Sequence, residues 1–248
     1  MKGLLLFIGE SFRLGGQHTR NRGTMESYDE QMKACDSHIK FIEHINAKYN
    51  VNVSCYISTY ETQYDNKLLE KYKTYLIGNK IYNHLIGITS LYQNSIEDVK
   101  KIENIEYFDF ILYIRIDLCL KEKFFDVFNP KLNTIHFSTI CWHKDHFFFH
   151  NGDYKKQPRL NDNILFIPLK YFKYIQNIKL CHETWGILIN TTDLTYADLD
   201  VMIDTFHDSD SQKDFNPLYY IVNRPETSVN NSKGHIFNKF IGFHVKKV

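Results

Sequence analysis

The sequence predicts an α/β protein with a mostly parallel central sheet flanked by helices, and three observations carry that expectation. Short apolar runs alternate with longer segments of helical periodicity up to residue 120, in the order strand, helix, strand, helix, strand that builds parallel sheets. The run FDFILYIRIDLCL, Phe108 to Leu120, is apolar on both alternating faces, as a strand buried on both sides of a sheet must be. Each predicted strand then leads into polar or glycine residues: Gly9–Arg22, Ser58–Asp65 and Arg115–Asp117. In open parallel sheets, ligands bind outside the carboxyl ends of the strands.

Taken in order, Leu4–Ile8 is the first strand. The loop after it, GESFRLGGQHTRNRG, joins glycines that let backbone approach a ligand to three guanidiniums suited to phosphate, Arg13, Arg20 and Arg22. It is not a Walker loop, because the order G-x-x-x-x-G-K-[ST] is absent, and a solvated basic loop is the plain alternative. Next, Met32, Cys35, Ile39, Ile42 and Ile45 fall at spacings of three and four, which predicts an amphipathic helix. Ser27, with Glu30 three positions on, has the form of a capping box at its start. VNVSCYISTYETQYD is a second strand with its polar exit. Lys67 to Thr89 carries a helical pattern broken near Gly78–Asn79, and a further helix is expected from Ile88 to Asn104, before the Phe108–Leu120 strand.

The second half is less regular. TIHFSTICW is strand-like, HKDHFFFHNGDYKKQPR is an aromatic, histidine-rich loop, and LNDNILFIPLKYFKYIQNI runs from a short strand through Pro168 into a helix. From Asp193 onward come a short helix, the acidic DTFHDSDSQKD loop and NPLYYIVNR. There is no internal repeat and no clean domain boundary.

Composition narrows the function classes. The chain has 248 residues, 43% hydrophobic and 24% charged, enough for one sizeable core. With 30 basic and 29 acidic residues the net charge is +1, which argues against a general nucleic-acid binder. The five cysteines form no C-x-x-C pair, so free thiols in a reducing, cytoplasmic compartment are expected. The apolar stretch in MKGLLLFIGE is too short for a signal peptide or a membrane span.

Two residues apart near the end of a core strand, Arg115 and Asp117 stand out, because charges are costly to bury without partners. The aspartate could ligate Mg2+ or Mn2+ and the arginine could grip a diphosphate, while an internal ion pair is the plain alternative. His143, Asp145, His146 and His150 match no standard zinc spacing and read as part of a loop.

FDFILYIRIDLCL resembles the (Y/F)D-x-hydrophobic-x-R-x-D strand of nucleotide-sugar glycosyltransferases of the GT-A type. Arg115 stands where the D-x-D element of that fold has its first Asp, so Asp117 alone matches. LLLFIGESFRLGGQHTRNRG, VSCYISTYETQY and RLNDNILFIPLKYFKYI resemble three further segments of small glycosyltransferases of large DNA viruses and microbial polysaccharide clusters. The resemblance implies a single GT-A-like domain, with a nucleotide-sugar-binding half at 1–120 and an irregular acceptor-binding half at 121–248. It implies transfer of a sugar from a UDP- or GDP-sugar to a hydroxyl of a glycan or glycoprotein. Mn2+ or Mg2+ would sit on Asp117, with His207 from the C-terminal side. Gly9, Arg13 and Arg115 would meet the donor diphosphate, and Thr59, Tyr60 and Thr62 its nucleoside, with the Tyr60 ring or Asp65 as further contacts. Asp162 would face the sugar; Asp162 or Glu183 would be the general base, and Trp185 could stack on a sugar ring. For a viral protein the compartment would be the host cytoplasm. Two alternatives stay open: a sulfotransferase-like enzyme using the first loop for a phosphorylated nucleotide, and a non-catalytic sugar-binding relative. Under the transferase expectation, Asp117→Ala abolishes transfer with the fold intact, and the Arg115–Asp117 pair shares a cleft with the first loop.

Overall fold

Strand β1 (Lys2–Ile8) lies inside the main sheet, hydrogen-bonded on both sides to parallel strands. The structure is a computed structural model that describes residues 1–15, 21–130, 133–139, 160, 163–175, 178, 185–202 and 218–222. After β1 come the two-residue strands β2 (Arg13–Leu14) and β3 (Asn21–Arg22), which pair with each other, and helix α1 (Met25–Tyr49). Then follow β4 (Asn52–Tyr60), α2 (Asp65–Tyr72), β5 (Leu76–Tyr82), α3 (Ile88–Val99), β6 (Phe110–Arg115), β7 (Leu118–Leu120) and α4 (Glu122–Val127). The remaining described elements are β8 (Ile135–Phe137), β9 (Ile164–Pro168), α5 (Phe172–Ile175), α6 (Trp185–Asn190), β10 (Leu199–Val201) and β11 (Tyr219–Ile221). Seven strands form the main sheet in the order β10-β8-β9-β6-β1-β4-β5. Only β9 runs antiparallel to its neighbours, so the fold is α/β with a mostly parallel sheet flanked by helices.

Period-two alternation explains the two cores. Leu5 and Phe7 of β1, with Leu112 and Ile114 of β6, face Phe41, Ile42 and Ile45 of α1. Leu4, Leu6 and Ile8, with Ile111 and Tyr113, face Leu91 and Ile96 of α3 and the ring of Trp185. β1 and β6 are therefore apolar on both faces, which is why their sequences show runs rather than alternation.

The chain proceeds from β1 outward to β4 and β5, then returns to place β6 on the other side of β1. The strand order thus reverses between β1 and β6, which makes the carboxyl ends of this pair a topological switch point. Strands from beyond residue 120, namely β8, β9 and β10, extend the same sheet. Among the described residues, no helix is long and apolar enough to cross a membrane.

Three sequence expectations need correction. Thr24, not Ser27, caps α1: its side chain accepts from the Ser27 amide, while the Ser27 hydroxyl donates to the Thr24 carbonyl. Residues 76–82, expected as helix, form edge strand β5, because YLIGNKIY is rich in β-branched and aromatic residues and β4 offers it a free ladder. The expected single strand Phe108–Leu120 breaks at Ile116–Asp117, and β7 leaves the main sheet to pair antiparallel with β11.

Candidate functional site

The carboxyl ends of β4, β1 and β6 are aligned by register, with Ile8 paired to Ser58 on one side and Arg115 on the other. Gly9 follows with φ 141°, a conformation that favours glycine, and its amide donates to the Ser58 carbonyl at 3.1 Å. On the other side the Ile116 amide donates to the Ile8 carbonyl at 3.0 Å. Across β6, the Arg115 amide donates to the Asn163 carbonyl at 2.9 Å, which brings the start of β9 to the same edge.

Arg115 and Asp117 form a two-point ion pair here. Nε donates to Oδ1 at 3.0 Å and Nη2 to Oδ2 at 2.8 Å, with the residues 8% and 2% exposed. Nη1 also donates to the Asn163 side-chain oxygen at 3.3 Å, and the Asn163 amide donates to the Tyr219 hydroxyl at 2.9 Å. This is the fork-on-carboxylate geometry that arginine makes and lysine cannot. The pair is buried but adjoins the first loop.

That loop is folded tightly over the strand ends. Arg13, 6% exposed, donates from Nε to the Gly15 carbonyl at 3.2 Å and lies 3.8 Å from a Glu10 carboxylate oxygen. Arg22 places its guanidinium 5.5 Å from the centre of the Tyr60 ring. Tyr60 is 2% exposed and also packs edge-on against Tyr82, so its ring is enclosed rather than offered to a base. The Thr59 hydroxyl accepts from the Ser11 amide at 3.1 Å and donates to the Ser11 hydroxyl at 2.8 Å, which ties β4 to the first loop. Thr62 and Asp65 bond to each other: the carboxylate accepts from the Thr62 amide at 3.1 Å and from its hydroxyl at 2.9 Å. Their polar groups thus shape the entry to α2.

The wall behind the Asp117 turn is α1. Gln31, fully buried, accepts from the Phe12 amide at 3.2 Å and donates to the Ile116 carbonyl at 2.8 Å. The Ser37 hydroxyl accepts from the Leu120 amide at 2.9 Å. His38 Nε2 lies 2.7 Å from the Leu118 carbonyl and Nδ1 lies 2.5 Å from the Tyr72 hydroxyl. A carbonyl only accepts, so Nε2 carries the proton and Nδ1 accepts from tyrosine. Burial pushes the imidazole down to about 3, against a smaller opposite pull from the Leu118 carbonyl and Asp117, so it is neutral near pH 7. The sequence analysis missed Gln31, Ser37 and His38. The signal was there, as polar residues interleaved with the apolar stripe of a core helix.

Asp162, Glu183 and His207 lie outside the described residues, as do Arg20, His143, Asp145, His146 and His150. Trp185 is 4% exposed and packs against Phe137 at 5.6 Å, so the ring is part of the core rather than a platform for sugar. A divalent cation does not fit the Asp117 environment among the described residues. Both carboxylate oxygens already accept from a guanidinium, and no group of three or more His, Cys, Asp or Glu side chains assembles a shell. A concavity of about 430 Å³ lined by Lys2, Asn52, Ile77, Glu103 and Phe108 is at the opposite edge, by the amino ends of β1 and β4, and touches none of these groups.

No protein-family model matches the chain, and no curated protein matches it. Among solved structures, the galactosyltransferase LgtC in complex with donor and acceptor sugar analogues is 11% identical with a TM-score of 0.40, covering 81% of this chain and 73% of that one. Drosophila β1,4-galactosyltransferase 7, in complex with manganese, UDP-Gal and xylobiose, is 10% identical with a TM-score of 0.38, covering 89% and 70%. A glycosyltransferase involved in the glycosylation of the major capsid of PBCV-1 is 9% identical with a TM-score of 0.39, covering 89% and 92%. At these identities and scores, no residue role passes from those proteins to this chain.

Proposed function

We propose that the protein is a glycosyltransferase that moves a sugar from a nucleotide-diphosphate donor, a UDP- or GDP-sugar, to a hydroxyl of a glycan acceptor. The observation that carries this reading is the switch point between β1 and β6, where the Gly9–Arg13 loop adjoins Arg115 at the position where open α/β sheets bind their ligands. The four sequence segments that resemble nucleotide-sugar glycosyltransferases include both sides of that switch point.

The chemistry follows from the side chains. Departure of a nucleoside diphosphate builds negative charge on its bridging oxygen, and Arg13 and Arg115 are the guanidiniums assigned to stabilise it. Asp117 orients Arg115 through two bonds, so the fork is fixed before a donor arrives. Thr59 and Ser11 hold the first loop against β4, which leaves Gly9 as the point of close backbone approach. Deprotonation of the acceptor hydroxyl is assigned to a carboxylate, Asp162 or Glu183. Because Asp117 is engaged by Arg115, no step is routed through a divalent metal.

Calorimetric titration with UDP, GDP and their sugar conjugates, each with and without Mn2+, tests the proposal. Binding of one of them, lost in Arg13→Met, supports it. Binding of none, or unchanged binding in both Arg13→Met and Arg115→Met, overturns it. A preference for a 3′-phosphorylated adenine nucleotide would favour the sulfotransferase-like alternative.

A further inference from the structure

We propose that Gln31 is the positioning residue of this site: one buried amide fixes the first loop and the Asp117 turn relative to each other, and so sets the span a donor diphosphate must bridge. The inference rests on the reading of the switch point as a donor site.

Two of its three bonds reach residues adjacent to the candidate donor contacts Arg13 and Arg115, while the third runs from Nε2 to the Cys35 sulfur at 3.8 Å within α1. Oε1 accepts from the amide of Phe12, immediately before Arg13, and Nε2 donates to the carbonyl of Ile116, immediately before Asp117. Both ends of the side chain are used, and the residue is fully buried. A carboxamide is the side chain that offers a donor and an acceptor from one planar group; asparagine is a methylene shorter, and ionised glutamate would turn an acceptor toward the Ile116 carbonyl.

Its setting argues against a mere filler of space. Gln31 shares the buried face of α1 with Ala34, Cys35, Phe41, Ile42 and Ile45, where an apolar side chain would carry no desolvation cost. Phe12, whose amide it holds, has φ 51°, a left-handed conformation that is unusual for a bulky residue. Such strain persists only where the surroundings over-determine it. Here the Phe12 carbonyl accepts from the Gly23 amide at 2.9 Å, the ring packs in a three-ring cluster with Tyr28 and Tyr64, and Gln31 completes the clamp. The conformation at Phe12 decides where the chain delivers Arg13.

The test compares the full chain with Gln31→Leu, with Gln31→Met where the leucine variant does not fold, and with Tyr49→Phe as control. The control removes a bond from the Tyr49 hydroxyl to the Phe128 carbonyl, on the same helix but away from both loops. Three quantities are read: UDP and GDP affinity in the presence of Mn2+, the thermal midpoint, and amide hydrogen exchange in peptides over 10–15 and 115–120. Loss of a buried two-ended amide should weaken nucleotide binding by about tenfold or more. Exchange should rise in both loops together, while Tyr49→Phe lowers the midpoint and changes neither affinity nor exchange there. A Gln31 variant that melts lower yet binds nucleotide like the wild type overturns the proposal, as does faster exchange in one loop alone. Should the wild-type chain bind neither nucleotide, the donor reading fails by itself. Hydrogen exchange then still decides the role of Gln31, since linked deprotection supports the clamp and its absence overturns it.

Discussion

Replacing Asp117 with alanine should destabilise the fold as well as silence the site, which revises the expectation that the fold stays intact. The carboxylate meets the Arg115 guanidinium at 3.0 and 2.8 Å, and the two residues are 2% and 8% exposed. After truncation the guanidinium stays buried and loses both carboxylate bonds, while its bond to the Asn163 oxygen at 3.3 Å remains. Removing one partner of a buried pair costs about 3–5 kcal/mol, because the other charge is stranded. In a domain of this size each 1 kcal/mol shifts the midpoint by about 2–4 °C, so a fall of roughly 6–20 °C is expected. Arg115→Met should be costly for the same reason. The double variant should recover part of the loss, since with both members of the pair removed no unpaired charge stays buried. The assay is urea denaturation of all four corners of the cycle, with thermal melts alongside. Two results would refute the reasoning. One is Asp117→Ala within about 1 kcal/mol of wild type, the behaviour of an exposed pair. The other is a double variant equal to the sum of the singles, which would mean no coupling.

Two further outcomes follow from the wall and the loop. His38 is held down at about 3 by burial against 6.5 when unfolded, so the unfolded chain takes up its proton first. Its contribution to stability is complete above the unfolded value and is lost as pH falls from there toward the folded one, at about 1.4 kcal/mol per pH unit. Denaturant titrations at about pH 6 and pH 5 should show that slope, and His38→Gln should flatten it. Thr59→Val keeps shape but removes the acceptor of the Ser11 amide and the donor to its hydroxyl. It should cost about 1–3 kcal/mol and speed amide exchange at residue 11, and an unchanged Ser11 amide would show the bond to be idle.

The strands of the core were legible because burial on both faces leaves a mark that no partner has to reveal. Leu4–Ile8 and Phe110–Ile114 are apolar or aromatic whichever way the side chains alternate. Residues 76–82 were misread because an edge strand has one solvated side, and its exposures alternate irregularly. Pairing with β4 decides their state, and that pairing is invisible in a local pattern. The switch of Thr24 for Ser27 as cap has the same origin. Both residues can cap, and the helix begins one turn earlier, with Thr24 as cap and Ser27 buried in its first turn.

At the site, the sequence located the loops but not the division of labour within them. From their chemistry, Arg115 and Asp117 carried two readings, separate tasks for phosphate and metal or an internal ion pair, and the structure has the pair. The chain turns at Ile116, and the turn lets the carboxylate swing back onto the guanidinium. A buried charge is tolerated where its partner is close, so once the turn forms the pair satisfies itself first. Thr59 and Thr62 behave alike, since hydroxyls that could face a nucleoside are spent on Ser11 and Asp65, holding backbone. The polar residues named at these strand ends therefore bond to one another, on both sides of Gly9. Under the proposed donor reading, recognition here depends on the position of few groups, which makes a residue that never touches the ligand, such as Gln31, as consequential as one that does.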